Sequence, residues 1–224
     1  MRCKFCDHPC QRAGKQKNGA QKLYCTLCGK YQQMTYRSRA WCKDTKPLIP
    51  KLVCESVSVR GIARILGISI NTVQANIRRA AKSIVKPPIR LHQANVEVDE
   101  LRTSIGNKQH QYWIAYALNR STGEVIDFVV GRRTKGSLRM LVNTLLLAGV
   151  VKINTDRLNI YRSLIPKSIH DDRRYGTNRM ERKNLSLRTH IKRLNRRTIC
   201  FGRSRVMLEN CLKIYFWGDG LIRR

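Results

Sequence analysis

Two cysteine pairs set at a fixed interval constrain the fold of this chain more than any other feature. "CKFC" and "CTLC" place Cys3, Cys6, Cys25 and Cys28 in a C-x2-C-x18-C-x2-C arrangement. Each pair offers two thiolates from a tight turn, and four thiolates at tetrahedral positions suit Zn2+. Gly29 follows the second pair, where such a turn favours a residue without a side chain. The spacing predicts a small zinc ribbon over residues 1–45. Cys10, Cys42, Cys54, Cys200 and Cys211 lack this pairing and read as ordinary small apolar residues. An odd number of cysteines, nine, behind an N-terminus with no apolar leader fits a reducing compartment better than a disulfide framework.

The charge balance points to the partner. Lys and Arg number 45 against 14 acids, a formal net charge of +31. Charge of this size opposes compaction unless a polyanion takes it up, and a phosphate backbone is the usual one. Only Asp7, Asp44 and Glu55 precede residue 97; the other eleven acids lie from Glu97 onward. The N-terminal part therefore reads as binding surface, and the C-terminal part keeps carboxylates despite its basicity. No run of about 18 apolar residues suggests a membrane span. The expected setting is cytoplasmic and nucleoid-associated, on double-stranded DNA.

Residues 46–88 carry helical periodicity. Ile62, Ile65 and Leu66 form an apolar face, Ala63 is small enough for close helix approach, Gly67 allows a turn, and Ser69 can cap a second helix. Val73, Ile77 and Ala80 or Ala81 continue the stripe. This is a helix-turn-helix pattern. It leaves Asn71, Thr72, Gln74 and Arg78 to face a major groove, with Arg79 and Lys82 near phosphates. The prolines of "KPPIR" end the module.

From residue 94 the period changes. Val96, Val98 and Leu101 alternate with Glu97, Asp99 and Glu100, a strand ending in carboxylates. Gln111–Leu118 and Val125–Val130 make two further strands of a meander, and Gly136–Gly149 reads as an apolar helix. Val150–Asp156 is a fourth strand. The long intervening helix predicts that it lies parallel to the first, so Asp99 and Asp156 end on one edge. The run Asn178–Thr198 holds eight Lys or Arg and one acid, Glu181. Helical spacing puts Asn178, Glu181, Asn184 or Leu185, and Arg188 on one face, beside an apolar stripe of Met180, Leu187, Ile191 and Leu194. Packed on the sheet, this helix would bring Glu181 to Asp99 and Asp156. Three close carboxylates suit Mg2+ or Mn2+, and two such ions support in-line phosphoryl transfer. Arg182, Lys183, Arg188, Lys192, Arg193, Arg196 and Arg197 would hold the DNA. The plainer reading of Glu181 is a salt-bridge partner for Arg182 or Arg188.

"VDELRTSIGNK", "NRSTGEVIDFVVGRRT", "NTDRLNIY" and "NRMERKNLSLRTHIKRLNRRTICFGRS" together resemble the insertion-sequence-one family of DDE transposases. The likeness takes in the cysteine knuckles and the helix-turn-helix. It implies a ribonuclease H-like α/β catalytic domain over residues 94–224, a mixed sheet with flanking helices. It implies a catalytic triad at Asp99, Asp156 and Glu181, and DNA cutting and joining at terminal inverted repeats by a homo-oligomer. Arg102 and Leu158 stand where the family has aromatic residues. The family also implies a shorter product ending near Lys86–Arg90 that binds element ends without cutting. The competing expectations are a zinc and helix-turn-helix regulator without cleavage, or a nuclease of the same fold.

Overall fold

A computed structural model describes every residue except 18, 34–39, 41–43, 88–93, 174–175, 196–201 and 219–224. It divides into two compact units, Met1–Thr45 and Lys46–Arg224. In the first, β1 (Cys10–Lys15), β2 (Gln21–Cys25) and β3 (Tyr31–Gln33) form an antiparallel sheet in chain order. Buried Gln32 ties the first knuckle to this sheet: its Nε2 donates to the Arg2 carbonyl at 3.1 Å, and its Oε1 accepts from the Lys4 N–H at 2.9 Å.

The second unit begins with three helices, α1 (Thr45–Cys54), α2 (Val59–Leu66) and α3 (Ile70–Ser83). Ser58 caps α2 by accepting from the Gly61 N–H. Gly67 takes the left-handed conformation that stops α2, φ 63°, and Ser69 caps α3 by accepting from the Thr72 N–H at 3.1 Å. Ile62, Ala63, Val73, Ile77 and Ala81 are buried together. Ile65, expected on that face, is 61% exposed. At 3.6 residues per turn it falls outside the arc defined by Ile62, Ala63 and Leu66.

A five-stranded sheet follows, in the order β6-β5-β4-β7-β8. β4 (Asn95–Ser104), β5 (Gln111–Asn119) and β6 (Val125–Gly131) are an antiparallel meander. Helix α4 (Lys135–Leu147) leads to β7 (Lys152–Thr155), which pairs parallel with β4, and α5 (Asn159–Arg162) leads to the short parallel β8 (His170–Asp171). Alternation in β4 and β5 sorts side chains to two faces. Val96, Val98, Ala115 and Ala117 join α4 and Tyr161 in one core. Leu101, Ile114, Tyr116 and Leu118 join Met180, Leu187, Ile191 and Leu194 in the other. The latter belong to α6 (Asn178–His190) and the turn after it, so the expected stripe does seat that helix on the sheet.

Helix α7 (Arg205–Trp217) closes the unit. Its Leu208 and Leu212 enter the sheet core, while Met207, Cys211 and Ile214 enter the core of α1–α3. The module read over residues 46–88 lies within the larger unit, its three short helices burying their faces against α7. Cys54 and Cys211 pack there as apolar residues; Cys42 and Cys200 lie outside the described residues.

Candidate functional site

The parallel pairing of β4 and β7 ends with Val98 beside Thr155, so Asp99, midway along β4, and Asp156, just past the end of β7, come next to each other at the same level. Carboxylate oxygens of Asp99, Glu100 and Asp156 all lie within 4.8 Å of one another. Successive residues of a strand point to opposite faces, so the cluster straddles the sheet edge. Asp99 faces α6: its Oδ2 accepts from Asn184 Nδ2 at 2.8 Å, and Asn184 Oδ1 accepts from the Tyr116 hydroxyl at 2.9 Å. Its Oδ1 accepts from the Glu100 N–H at 2.7 Å. Burial, with the Glu100 and Asp156 charges, still raises the Asp99 carboxyl to about 6, against the lowering effect of those hydrogen bonds.

Glu100 faces the other side. Its Oε2 accepts from Arg133 Nε and Nη2 at 3.2 and 2.8 Å, and its Oε1 accepts from the buried Tyr161 hydroxyl. Burial raises the Glu100 carboxyl, and these two partners offset it. Burial and the Glu100 charge likewise push the Tyr161 hydroxyl up, so it stays protonated and donating. Asp156 Oδ1 accepts from the Leu158 N–H at 3.1 Å, and its Oδ2 lies 3.7 Å from Arg133 Nη2.

Glu181 stands apart from the other two carboxylates of the expected triad. The carboxylates that meet are Asp99, Glu100 and Asp156, whereas Glu181 is exposed and outside that cluster. The cause is the position of α6 along its own axis. The Met180 N–H donates to buried Glu97 Oε2 at 3.1 Å, which fixes the start of the helix two residues below Asp99 on the same strand face. Asn184 is then the side chain that reaches Asp99. Glu181 precedes it by one turn on the same helix face, open to solvent. The β4 alternation put Glu97 with Asp99, but nothing in the sequence marked Glu97 as the anchor of α6, or Arg133 and Tyr161 as partners of Glu100.

The four knuckle sulfurs also lie within 4.8 Å of one another, with Cys3–Cys28 and Cys6–Cys25 at 3.5 Å. A tetrahedral site with bonds near 2.3 Å needs sulfur separations of about 3.8 Å, so the donor set fits Zn2+. The two knuckles repeat each other. Asp7 N–H donates to the Cys3 carbonyl and Gly29 N–H to the Cys25 carbonyl, with positive φ at both residues, 58° and 67°. On α3, Asn71, Arg78, Arg79 and Lys82 are exposed and Gln74 is half-buried. Thr72 is half-buried, with its hydroxyl 2.8 Å from that of Ser69. Asn76 Oδ1 accepts from Arg79 Nη1 at 3.1 Å. On α6 and its following turn Arg182 and Lys192 are exposed, and Lys183, Arg188 and Arg193 are half-buried; Arg196 and Arg197 lie outside the described residues.

A meander of three strands, a helix, then two parallel strands makes an α/β protein with a mixed sheet, and Asp99 and Asp156 lie where the parallel pairing of its central strands stops. A family model described as IS1 transposase matches residues 94–217. The chain belongs to that family. It is 41% identical over 108 residues to the InsB protein of insertion element iso-IS1n from Shigella dysenteriae, covering 48% of this chain and 82% of that one. It is 36% identical over 108 residues to an IS1 InsB protein of Escherichia coli K12, covering 48% and 65%. Among solved structures, the HTLV-2 integrase catalytic core with magnesium gives a TM-score of 0.36 at 12% identity, over 54% of this chain and 84% of that one. A simian T-cell lymphotropic virus intasome gives 0.37 at 15%, over 75% and 64%. No helix among the described residues is long and apolar enough to cross a membrane.

Proposed function

We propose that this protein is an insertion-sequence transposase that binds terminal inverted repeats and, with a divalent metal ion, cleaves DNA strands and joins them to target DNA. The observation that carries this reading is the parallel register of β4 and β7, which sets Asp99 beside Asp156 inside the matched region. Asp99 and Asp156 would hold the ion, and the crowding that raises Asp99 is what a cation relieves. Glu181, one turn before Asn184 on the helix face that meets Asp99, supplies the third carboxylate. Mg2+ or Mn2+ bound there would lower the pKa of an attacking water or 3′-hydroxyl and stabilise the leaving oxygen. Asn184 and Tyr116 orient Asp99. In the displacement, the attacking oxygen forms a bond to phosphorus as the bond to the leaving oxygen breaks.

The remaining residues serve placement of DNA. Asn71, Thr72, Gln74 and Arg78 read base edges, and Arg79 and Lys82 hold phosphates. Arg182, Lys183, Arg188, Lys192, Arg193, Arg196 and Arg197 supply basic contacts along and beyond α6. The four thiolates of Cys3, Cys6, Cys25 and Cys28 hold Zn2+ and keep the ribbon folded. Two element ends must be joined in one complex, so a homo-oligomer on DNA belongs to the reading.

The test is cleavage of a labelled duplex carrying the gene's own flanking ends, in Mg2+. Wild type should cut at the ends, whereas Asp156→Asn and Glu181→Gln should bind and not cut. If all three bind and none cuts, the chain acts as a regulator of element ends. If Glu181→Gln cuts like wild type, Glu181 leaves the site.

A further inference from the structure

Arg133 lies in the run "NRSTGEVIDFVVGRRT", but no role in the site was read for it from the sequence. It lies in the link between β6 and α4, one residue before Thr134, which caps α4. Its Nε and Nη2 grip one oxygen of Glu100, and Nη2 leans to within 3.7 Å of Asp156 Oδ2. Its Cζ sits 4.5 Å from the centroid of the Trp113 ring. The Glu100 side chain is 1% exposed, that of Arg133 33% and that of Asp156 40%. The guanidinium therefore spans from a sealed carboxylate to an open one at the mouth of the cluster.

Charge balance alone does not account for this arrangement. Tyr161 and Arg133 occupy both oxygens of Glu100, which makes Glu100 an anchor rather than a metal ligand. A guanidinium gripped by a carboxylate on one edge and an aromatic face beside it is fixed in direction. The Nη1 group makes no hydrogen bond among the described residues. A donor aligned before substrate arrives needs no reorganisation when charge develops, and that is where such groups contribute most. Asp156 can face both the ion and a phosphate, so a cation 3.7 Å from it stands beside the reacting group.

We propose that Arg133 donates to a non-bridging oxygen of the DNA phosphate undergoing reaction, with Glu100, Tyr161 and Trp113 as its positioning residues. This rests on Asp99 and Asp156 being the metal ligands.

The test pairs protein and DNA changes in a cycle. The duplex carrying the gene's flanking ends is made with either a phosphate or a neutral methylphosphonate at the cleaved linkage, and binding is measured in Ca2+. Wild type should lose about 10-fold in affinity on the neutral linkage, and Arg133→Gln should lose nothing further. Cleavage of the natural duplex in Mg2+ by that variant should fall by about 10²-fold or more. Arg133→Gln leaves buried Glu100 unpaired, so the double variant Glu100→Gln/Arg133→Gln, which restores neutrality, should melt like wild type and behave the same way. An equal methylphosphonate penalty in wild type and both variants overturns the proposal and leaves Arg133 as the counter-ion of Glu100. Cleavage by Asp156→Asn at the wild-type rate overturns the metal reading beneath it.

Discussion

Burial holds the Asp99 carboxyl at about 6, and the sign of that shift is measurable. An unfolded aspartate titrates near 3.9. Between about pH 4 and 6 the native state keeps a proton that the unfolded chain releases, so the Asp99 contribution to stability declines as pH rises through that window. Asp99→Asn removes this titration. In metal-free buffer the variant should gain on wild type from pH 4 to 6.5, by about 3 kcal/mol at most, read from urea midpoints. A gap that does not change with pH would place the cost elsewhere. Asp171 acts in the opposite sense: Arg173 and Lys152 hold its carboxyl well below the usual range, so its stabilisation is lost only on stronger acidification. At the ribbon, Cys25→Ser should cost about one bound zinc per chain and the order of β1–β3. Metal analysis with circular dichroism checks this, and unchanged zinc content would sink the assignment.

Among elements, those with a regular apolar period were legible and those without one were not. The alternation of β4 and the apolar helix before β7 showed both strands, their parallel order and the meeting of Asp99 with Asp156. The α6 stripe was legible too, but its position along the helix axis was not. A backbone hydrogen bond to Glu97 sets that position, so Asn184 meets Asp99 and Glu181 lies one turn earlier on the same face. Helix α7 escaped because "RVMLENCLKIYFW" sends apolar residues to both sides and shows no single stripe. β8, of two residues, is too short to carry a pattern. Leu212→Ala, at a fully buried position, should cost about 2–5 kcal/mol in a denaturant titration. Ser69→Ala should cost about 1 kcal/mol by removing the α3 cap. It should weaken binding to the element ends more than it lowers the melting temperature, since the frayed turn holds Asn71 and Thr72.

For the whole molecule, the net charge of +31 sets the response to salt. If 6–10 phosphates are contacted, affinity for random duplex should fall roughly 10³–10⁵-fold between 50 and 200 mM salt. A flat salt profile would deny the polyanion reading. Arg78→Ala should weaken binding to the element ends by about 1–3 kcal/mol and spare random DNA, if Arg78 reads a base. Helix α7 has a further consequence, for synthesis. The helices α1–α3 emerge from the ribosome early, yet Met207, Cys211 and Ile214 complete their core. At about 5–20 residues per second, residues 85–217 follow roughly 7–27 s later. Through that interval α1–α3 lack their closing partner, so on the proposed reading a nascent or truncated chain should engage DNA weakly. A released fragment ending near residue 88 would need another surface in place of α7. On the same reading, competence to grip an element end should arrive only with the finished larger unit.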